Sequence, residues 1–196
     1  MTRYTNSISK QTMRTFIGVQ QVHHFQAAVF QIPTSRGEVF MYEELSSYMN
    51  SERAVVEVDA EKFLNLWRQP FSSHPEVANG TPQTWPNDSK FHWPDEHFME
   101  GLKNPVPLAQ VSCRMVARQN PLSQRKFGLF KSLESIETIQ SPSVHFTDGV
   151  TRTIWLLTFG AERFPVECPV EDAPLLQKLA GVSGGSFTPV DQLVPL

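Results

Sequence analysis

A mixed α/β fold, with helices flanking a sheet around one core, is the fold class the sequence predicts. Three observations lead to it. Runs rich in β-branched and aromatic residues recur near 19–41, 54–58, 106–116, 144–146 and 164–167. Helical signals appear at 59–67 and 171–180. Between these groups lies a proline-rich stretch that fits neither period, and no internal repeat is visible. The 196 residues suit one domain with a sizeable core. Hydrophobic residues at 40% and charged residues at 19% exclude wholesale disorder.

Residues 1–15 are polar and aperiodic and read as a mobile arm, leaving 16–196 as the domain. Val19 to Met41 predicts strands with a turn at Ser35-Arg36-Gly37. Met41–Met49 reads as a short helix, and Ala54–Val58 as a strand. Asp59-Ala60-Glu61 then opens a helix whose apolar face is Phe63, Leu64, Leu66 and Trp67. Residues 68–107 hold seven prolines, Trp85, Trp93 and three histidines. A loop this long inside a domain is functional or disordered, and its aromatics favour a packed, irregular flap. His92 and His97 with Asp95 and Glu96 could bind a metal, but their spacing matches no strong motif.

The segment 106–116 reads as a strand, whereas 126–133 and 134–139 fit either structure. Val144–Phe146 and Phe164–Glu167 read as short strands. Glu171–Ala180 reads as a helix with Gly181 in the C-cap place. The tail after it is loop-like. Cys113 and Cys168 have no metal-like spacing and are expected as reduced, half-buried thiols. No apolar run approaches the ~18 residues of a membrane span. The N-terminus lacks an apolar signal core, so a cytoplasmic location is expected.

The net charge of −3 is unevenly spread. Between Gly101 and Leu133 there is no Asp or Glu, while Lys103, Arg114, Arg118, Arg125, Lys126 and Lys131 fall there. Such a run favours a polyanion such as DNA, or is simply a solvated face.

Asp148-Gly149 poses the central choice. It could be a two-residue hairpin turn, continued by a strand with Trp155, Leu157 and Phe159 on one side. It could equally open a helix with Val150, Ile154, Leu157 and Ala161 on one stripe and Gly160 as terminator. The β-branched Val150, Thr151, Thr153 and Ile154 lean toward the strand.

The stretch FTDGVTRTIWLLTFGAERFPV resembles the signature of the ParB/sulfiredoxin superfamily: a strand, D-G-x-x-R, a helix ending at Gly, then a strand with F-P-V. VPLAQV at 106–111 resembles the strand that opens the same core, so 106–180 would be that core and 16–105 an N-terminal extension and flap. NPVPLAQVSC, FTDGVTRTIWLL and FPVEC, with TWPNDSKFHW upstream, are similar to the plasmid fertility inhibition factors.

That resemblance implies a plasmid factor that blocks DNA transfer through a type IV secretion system, near its coupling protein, with recruitment to the inner membrane. It also implies ATPase and DNase activity, with ATP and Mg2+ as cofactors and a helix after Asp148. In that helix Gly149 lets the backbone approach a phosphate, and the amides of Val150, Thr151 and Arg152 point at it. Thr151 adds a hydroxyl and Arg152 a forked cation. Asp148 is cast as helix N-cap or as Mg2+ ligand. Hydrolysis also needs a water-orienting group, for which Asp148, Glu134, Glu137, Asp88 and His145 are the candidates. Glu134 and Glu137, three apart, could share a helix face, and His145 could serve as general base. Sulfiredoxins place a catalytic Cys where this chain has Val150, which argues against peroxiredoxin repair. Trp155 replaces a small residue of the ParB switch, and no helix-turn-helix follows, which argues against a CTP-gated clamp. The rival reading is a non-catalytic binding module in which DGVTR is only a structural turn. A third is a DNA-binding regulator.

Overall fold

The computed structural model describes residues 13–45, 50–124 and 132–193, and of 120–124 and 132–137 the backbone alone. In chain order the elements are β1 (Phe16–Val22), β2 (Phe25–Thr34), β3 (Gly37–Glu44), β4 (Arg53–Asp59), α1 (Ala60–Trp67), α2 (Pro75–Ala78), α3 (His92–Met99), β5 (Val106–Pro107), β6 (Ala109–Gln124), β7 (Ser132–Asp148), α4 (Val150–Thr158), β8 (Arg163–Pro169), α5 (Ala173–Ala180) and β9 (Thr188–Pro189). They form two sheets, β1-β2-β3-β5 and β7-β6-β8-β4-β9, with the helices flanking them.

The first sheet is an antiparallel meander to which β5 adds in parallel, Met41 opposite Val106. The turn between β2 and β3 falls where predicted, with Gly37 at φ 106°. Met41–Glu44 is strand, not the short helix expected over Met41–Met49, of which 46–49 lie outside the described residues. The reason is a period of two: Val39, Met41, Glu43 and Leu45 are all buried. A carboxylate at an inward position hid that alternation.

In the second sheet β4 pairs antiparallel with β8 from Arg53–Pro169 to Asp59–Arg163. Asp59 ends β4 and caps α1, its carboxylate accepting from the Lys62 amide at 3.0 Å. Helix α1 buries Phe63, Leu66 and Trp67. The predicted strand 106–116 divides at Leu108, so that β5 joins one sheet and β6 the other. β6 pairs in parallel with β8 only at Ala109 and Gln110, then leaves it and continues as a long antiparallel ribbon with β7. The ambiguous segment 134–139 and the short strand 144–146 both belong to β7.

Helix α4 resolves the hairpin-or-helix choice. Its β-branched residues are accommodated because Thr153, Ile154, Trp155 and Leu156 are all buried, a wider stripe than predicted. The stripe is wide because Trp155 also stacks on Phe98 of the flap, ring centroids 4.6 Å apart. Gly160 at φ 72° follows the helix end. Gly181 follows α5 with φ −63°, extended rather than left-handed.

The flap carries α2, α3 and two 3-10 turns, and it sends Ala78, Trp85, Phe91 and Phe98 into the same buried cluster as Phe30, Phe63, Trp67 and Phe164. Of the predicted N-terminal arm, residues 13–15 are anchored. Met13 is buried, and the Glu57 carboxylate accepts from the amides of Arg14 and Thr15 at 3.3 and 2.8 Å. No described helix is long and apolar enough to cross a membrane.

Candidate functional site

Gly149 is the N-cap of α4, with φ 90° and ψ 13°. An added Cβ there would lie 2.6 Å from the Ala109 Cα and 2.7 Å from its Cβ. Glycine is therefore required twice, by a left-handed backbone and by close packing of the helix start on β6. No side chain caps this end of α4. Asp148 is not the N-cap. Its Oδ1 accepts from the Gly149 amide at 2.7 Å, and its Oδ2 accepts from Arg152 Nη2 at 2.5 Å. Asp148 is 67% exposed and Arg152 only 15%, so the cation is the more enclosed partner of the pair. Arg152 Nε is buried without a hydrogen-bond partner.

These residues form one wall of a cleft of about 800 Å3. Phe146 to Arg152 line it without interruption, and the flap adds Lys90, Trp93 and His97. Its size and its mix of rings and polar groups match small-molecule sites. The non-glycine residues with positive φ among those described are His23 at 51°, Phe71 at 74° and His74 at 53°. Two of them, His23 and His74, line the cleft, as strained positions at functional sites do. Burial pushes the Tyr42 phenol above its usual range, Glu44 adds to that, and Arg152 opposes it. Tyr42 and Arg152 thus feel each other across the cleft wall.

The other sequence candidates scatter. His145 faces away from the cleft that Phe146 lines, with Nε2 3.2 Å from Ser143 Oγ. Glu134 and Glu137 lie on strand β7 rather than a helix, and their side chains fall outside the described residues. Asp88 lines the cleft. Arg114 is held by Asp172, Nε to Oδ1 3.1 Å, and by Glu171 at 3.6 Å. Arg118 stacks on Phe71, its guanidinium carbon 4.4 Å from the ring centroid. Lys103 is exposed, one residue before the cleft-lining Asn104. Arg125, Lys126 and Lys131 lie outside the described residues. Among the described residues the basic run is therefore not gathered at the cleft.

Asp95 is not poised for a metal with His92 and His97. It accepts from Trp155 Nε1 at 2.9 Å and pairs with Arg36, tying the flap to α4. Among the described residues no group of three or more His, Cys, Asp or Glu side chains could enclose a metal ion. Mg2+ carried on nucleotide phosphates needs only one or two protein carboxylates. Asp148 can supply one of these, at the expense of its bond to Arg152.

Reasoning from sequence missed His23, Tyr42, Lys90 and Asn104 altogether. The usable signal was the proline- and tryptophan-rich flap, whose composition marked a structured loop. It missed a second cleft as well, of about 540 Å3, lined by Arg53, Gln110, Thr147 and Glu167 among others. At its edge Arg53 forms ion pairs with Glu43 and, at 3.3 Å, with Glu167, which also accepts from Gln110 Nε2 at 3.0 Å. Burial and the facing Glu167 carboxylate push Glu43 up to about 9. Cys113 and Cys168 are free and fully buried rather than half-buried. Burial raises both thiols, that of Cys113 to about 11, which leaves them unreactive.

Fold and site together define a two-sheet α+β protein whose uncapped helix start opens on a large ring-lined cleft. The chain belongs to the plasmid fertility inhibition factor family, which residues 55–181 match. Protein osa of Shigella flexneri is 36% identical over 84 residues, an alignment covering 43% of this chain and 33% of osa. The crystal structure of Oncogenic Suppression Activity Protein, a plasmid fertility inhibition factor solved as a gold(I) cyanide derivative, superposes with a TM-score of 0.62 at 27% identity. That superposition covers 85% of this chain and 75% of the other. The α4 start and the flap lie inside the family-matched span, whereas His23 and Tyr42 lie before it.

Proposed function

We propose that this chain suppresses DNA transfer through a type IV secretion system, acting on the coupling protein's substrate as a nucleotide- and DNA-hydrolysing protein of ParB/sulfiredoxin type. The observation that supports it is the cleft wall itself: an uncapped helix start, a largely buried arginine and Lys90 all open on one cavity. Phosphate oxygens would take the amides of Val150, Thr151 and Arg152, helped by the helix dipole. Arg152 would turn from Asp148 to the phosphate and neutralise charge that grows at phosphorus. Mg2+ bound with the nucleotide would supply further charge neutralisation and an activated water. Asp148, freed from Arg152, would hold one position on that ion. Asp88, which lines the cleft as Glu76 also does, would orient water. The site is on the cytoplasmic face of the secretion machinery in this reading, and the basic run 103–131, of which Arg114 and Arg118 stand on β6, would follow the DNA backbone.

Arg152→Ala tests it. Mg2+-dependent ATP hydrolysis and DNA cleavage should both fall by about 100-fold or more, the scale for removing one transition-state donor. Wild-type rates in the purified variant would refute the assignment.

A non-catalytic module is favoured by one observation, the fit of Gly149 against Ala109, which explains the Asp-Gly pair by packing alone. If Arg152→Ala loses both activities yet still suppresses transfer, that module is the better account.

A further inference from the structure

Trp93 stands in the cleft wall with 54% of its surface exposed, although the other three tryptophans, Trp67, Trp85 and Trp155, are buried. Its backbone is firmly held. Helix α3 is fastened by Phe98 against Trp155 and by Asp95 to Trp155 and Arg36. The ring of His92 backs it edge-on, centroids 5.9 Å apart. One exposed ring is ordinary by itself; what distinguishes Trp93 is that it lines a large cavity from a held helix. The neighbouring lining identifies the kind of ligand. Lys90, three residues before it, lines the same cavity as Arg152 and the start of α4, together with the carboxylates Glu76, Asp88 and Asp148, and His74 and His97 add rings. One cavity thus offers cations for a phosphate and a flat π surface beside them. That pairing is how nucleoside phosphates and single strands are held without reading sequence.

We infer that Trp93 is the stacking platform for the base of a nucleoside phosphate bound in this cleft, its phosphates lying toward Val150–Arg152. The inference rests on the phosphate site proposed above and adds the ring-recognition element to it. The same chemistry arrives from two sources, a free nucleotide or a single-stranded end of DNA.

Equilibrium binding to the full chain separates the possibilities. The probes are ATP, a short oligo(dT) and inorganic tripolyphosphate, which has the charge but no base. Trp93→Ala should weaken ATP, oligo(dT) or both by roughly tenfold, as loss of one stacking contact does. It should leave tripolyphosphate unchanged, and Trp93→Phe should restore most of the loss. Loss on ATP alone assigns the free nucleotide, and loss on oligo(dT) alone assigns the strand. Equal weakening of all three probes, or of none, overturns the stacking role. Arg152→Ala is the parallel control. If it leaves tripolyphosphate binding intact, the phosphate site is wrong whatever Trp93 does. Trp93 is exposed, so its replacement should leave the thermal midpoint within a few degrees of wild type.

Discussion

Arg152 and Asp148 are bonded one helical turn apart, 2.5 Å from Nη2 to Oδ2, with the cation largely enclosed and the carboxylate exposed. In the proposed function the carboxylate competes with the incoming phosphate for Arg152. Asp148→Asn removes that competitor. Without metal, tripolyphosphate should bind severalfold more tightly, in line with an exposed charge pair of ~1 kcal/mol or less, and Mg2+-dependent ATP hydrolysis should fall. Unchanged metal-free binding in a titration would show that Arg152 does not meet the phosphate.

Gly149→Ala is expected to destabilise the fold by about 2 kcal/mol or more. The left-handed backbone costs an L-residue ~1–2 kcal/mol, and the overlap with Ala109 adds overpacking strain. Urea denaturation reads this directly. A midpoint equal to wild type would mean that α4 and β6 do not pack as closely as described.

Glu43 gives the fold a pH dependence with a definite sign. Buried and facing Glu167, with Glu44 adding to the repulsion and Arg53 opposing it, it keeps its proton in the folded chain up to about 9. Unfolded, it titrates near ~4.3. The folded state therefore holds the extra proton through that window, and stability from this group declines as pH rises from the lower value to the upper. Glu43→Gln, which cannot lose a proton, should show a flatter profile. Its stability relative to wild type should grow between pH 5 and 9 in chemical denaturation. Parallel profiles for the two proteins would remove Glu43 from the account.

Much of this fold was legible because local and global signals agree. Asp59 begins α1 as a polar cap ahead of Phe63 and Trp67 should, and the β2–β3 turn sits at Ser35-Arg36-Gly37. Where they disagree, the sequence misleads. Glu43 is a carboxylate on an inward strand position, stabilised by Arg53 from a different strand, and no local pattern reveals that pairing. The β-branched start of α4 leaned toward strand by propensity, and tertiary burial of Ile154 and Trp155 overrides it. The cleft was half legible. Gly149 to Arg152 announced themselves as a motif, but Lys90, Trp93 and His23 come from chain-distant segments and converge only in three dimensions. Asp95 illustrates the same limit, because its partner Trp155 is sixty residues away.

The recess at Gly149 is closed by the Ala109 Cα and Cβ and by Arg152 Nη2, and its entrance requirement is the absence of a methyl group at one position. Peptide nitrogens carry no letter of their own, so Val150 and Thr151 could drift to many other residues and leave the recess standing. Descendants of one ancestor can therefore keep this architecture while their spelling diverges widely, provided that a single hydrogen atom stays where a side chain would otherwise begin.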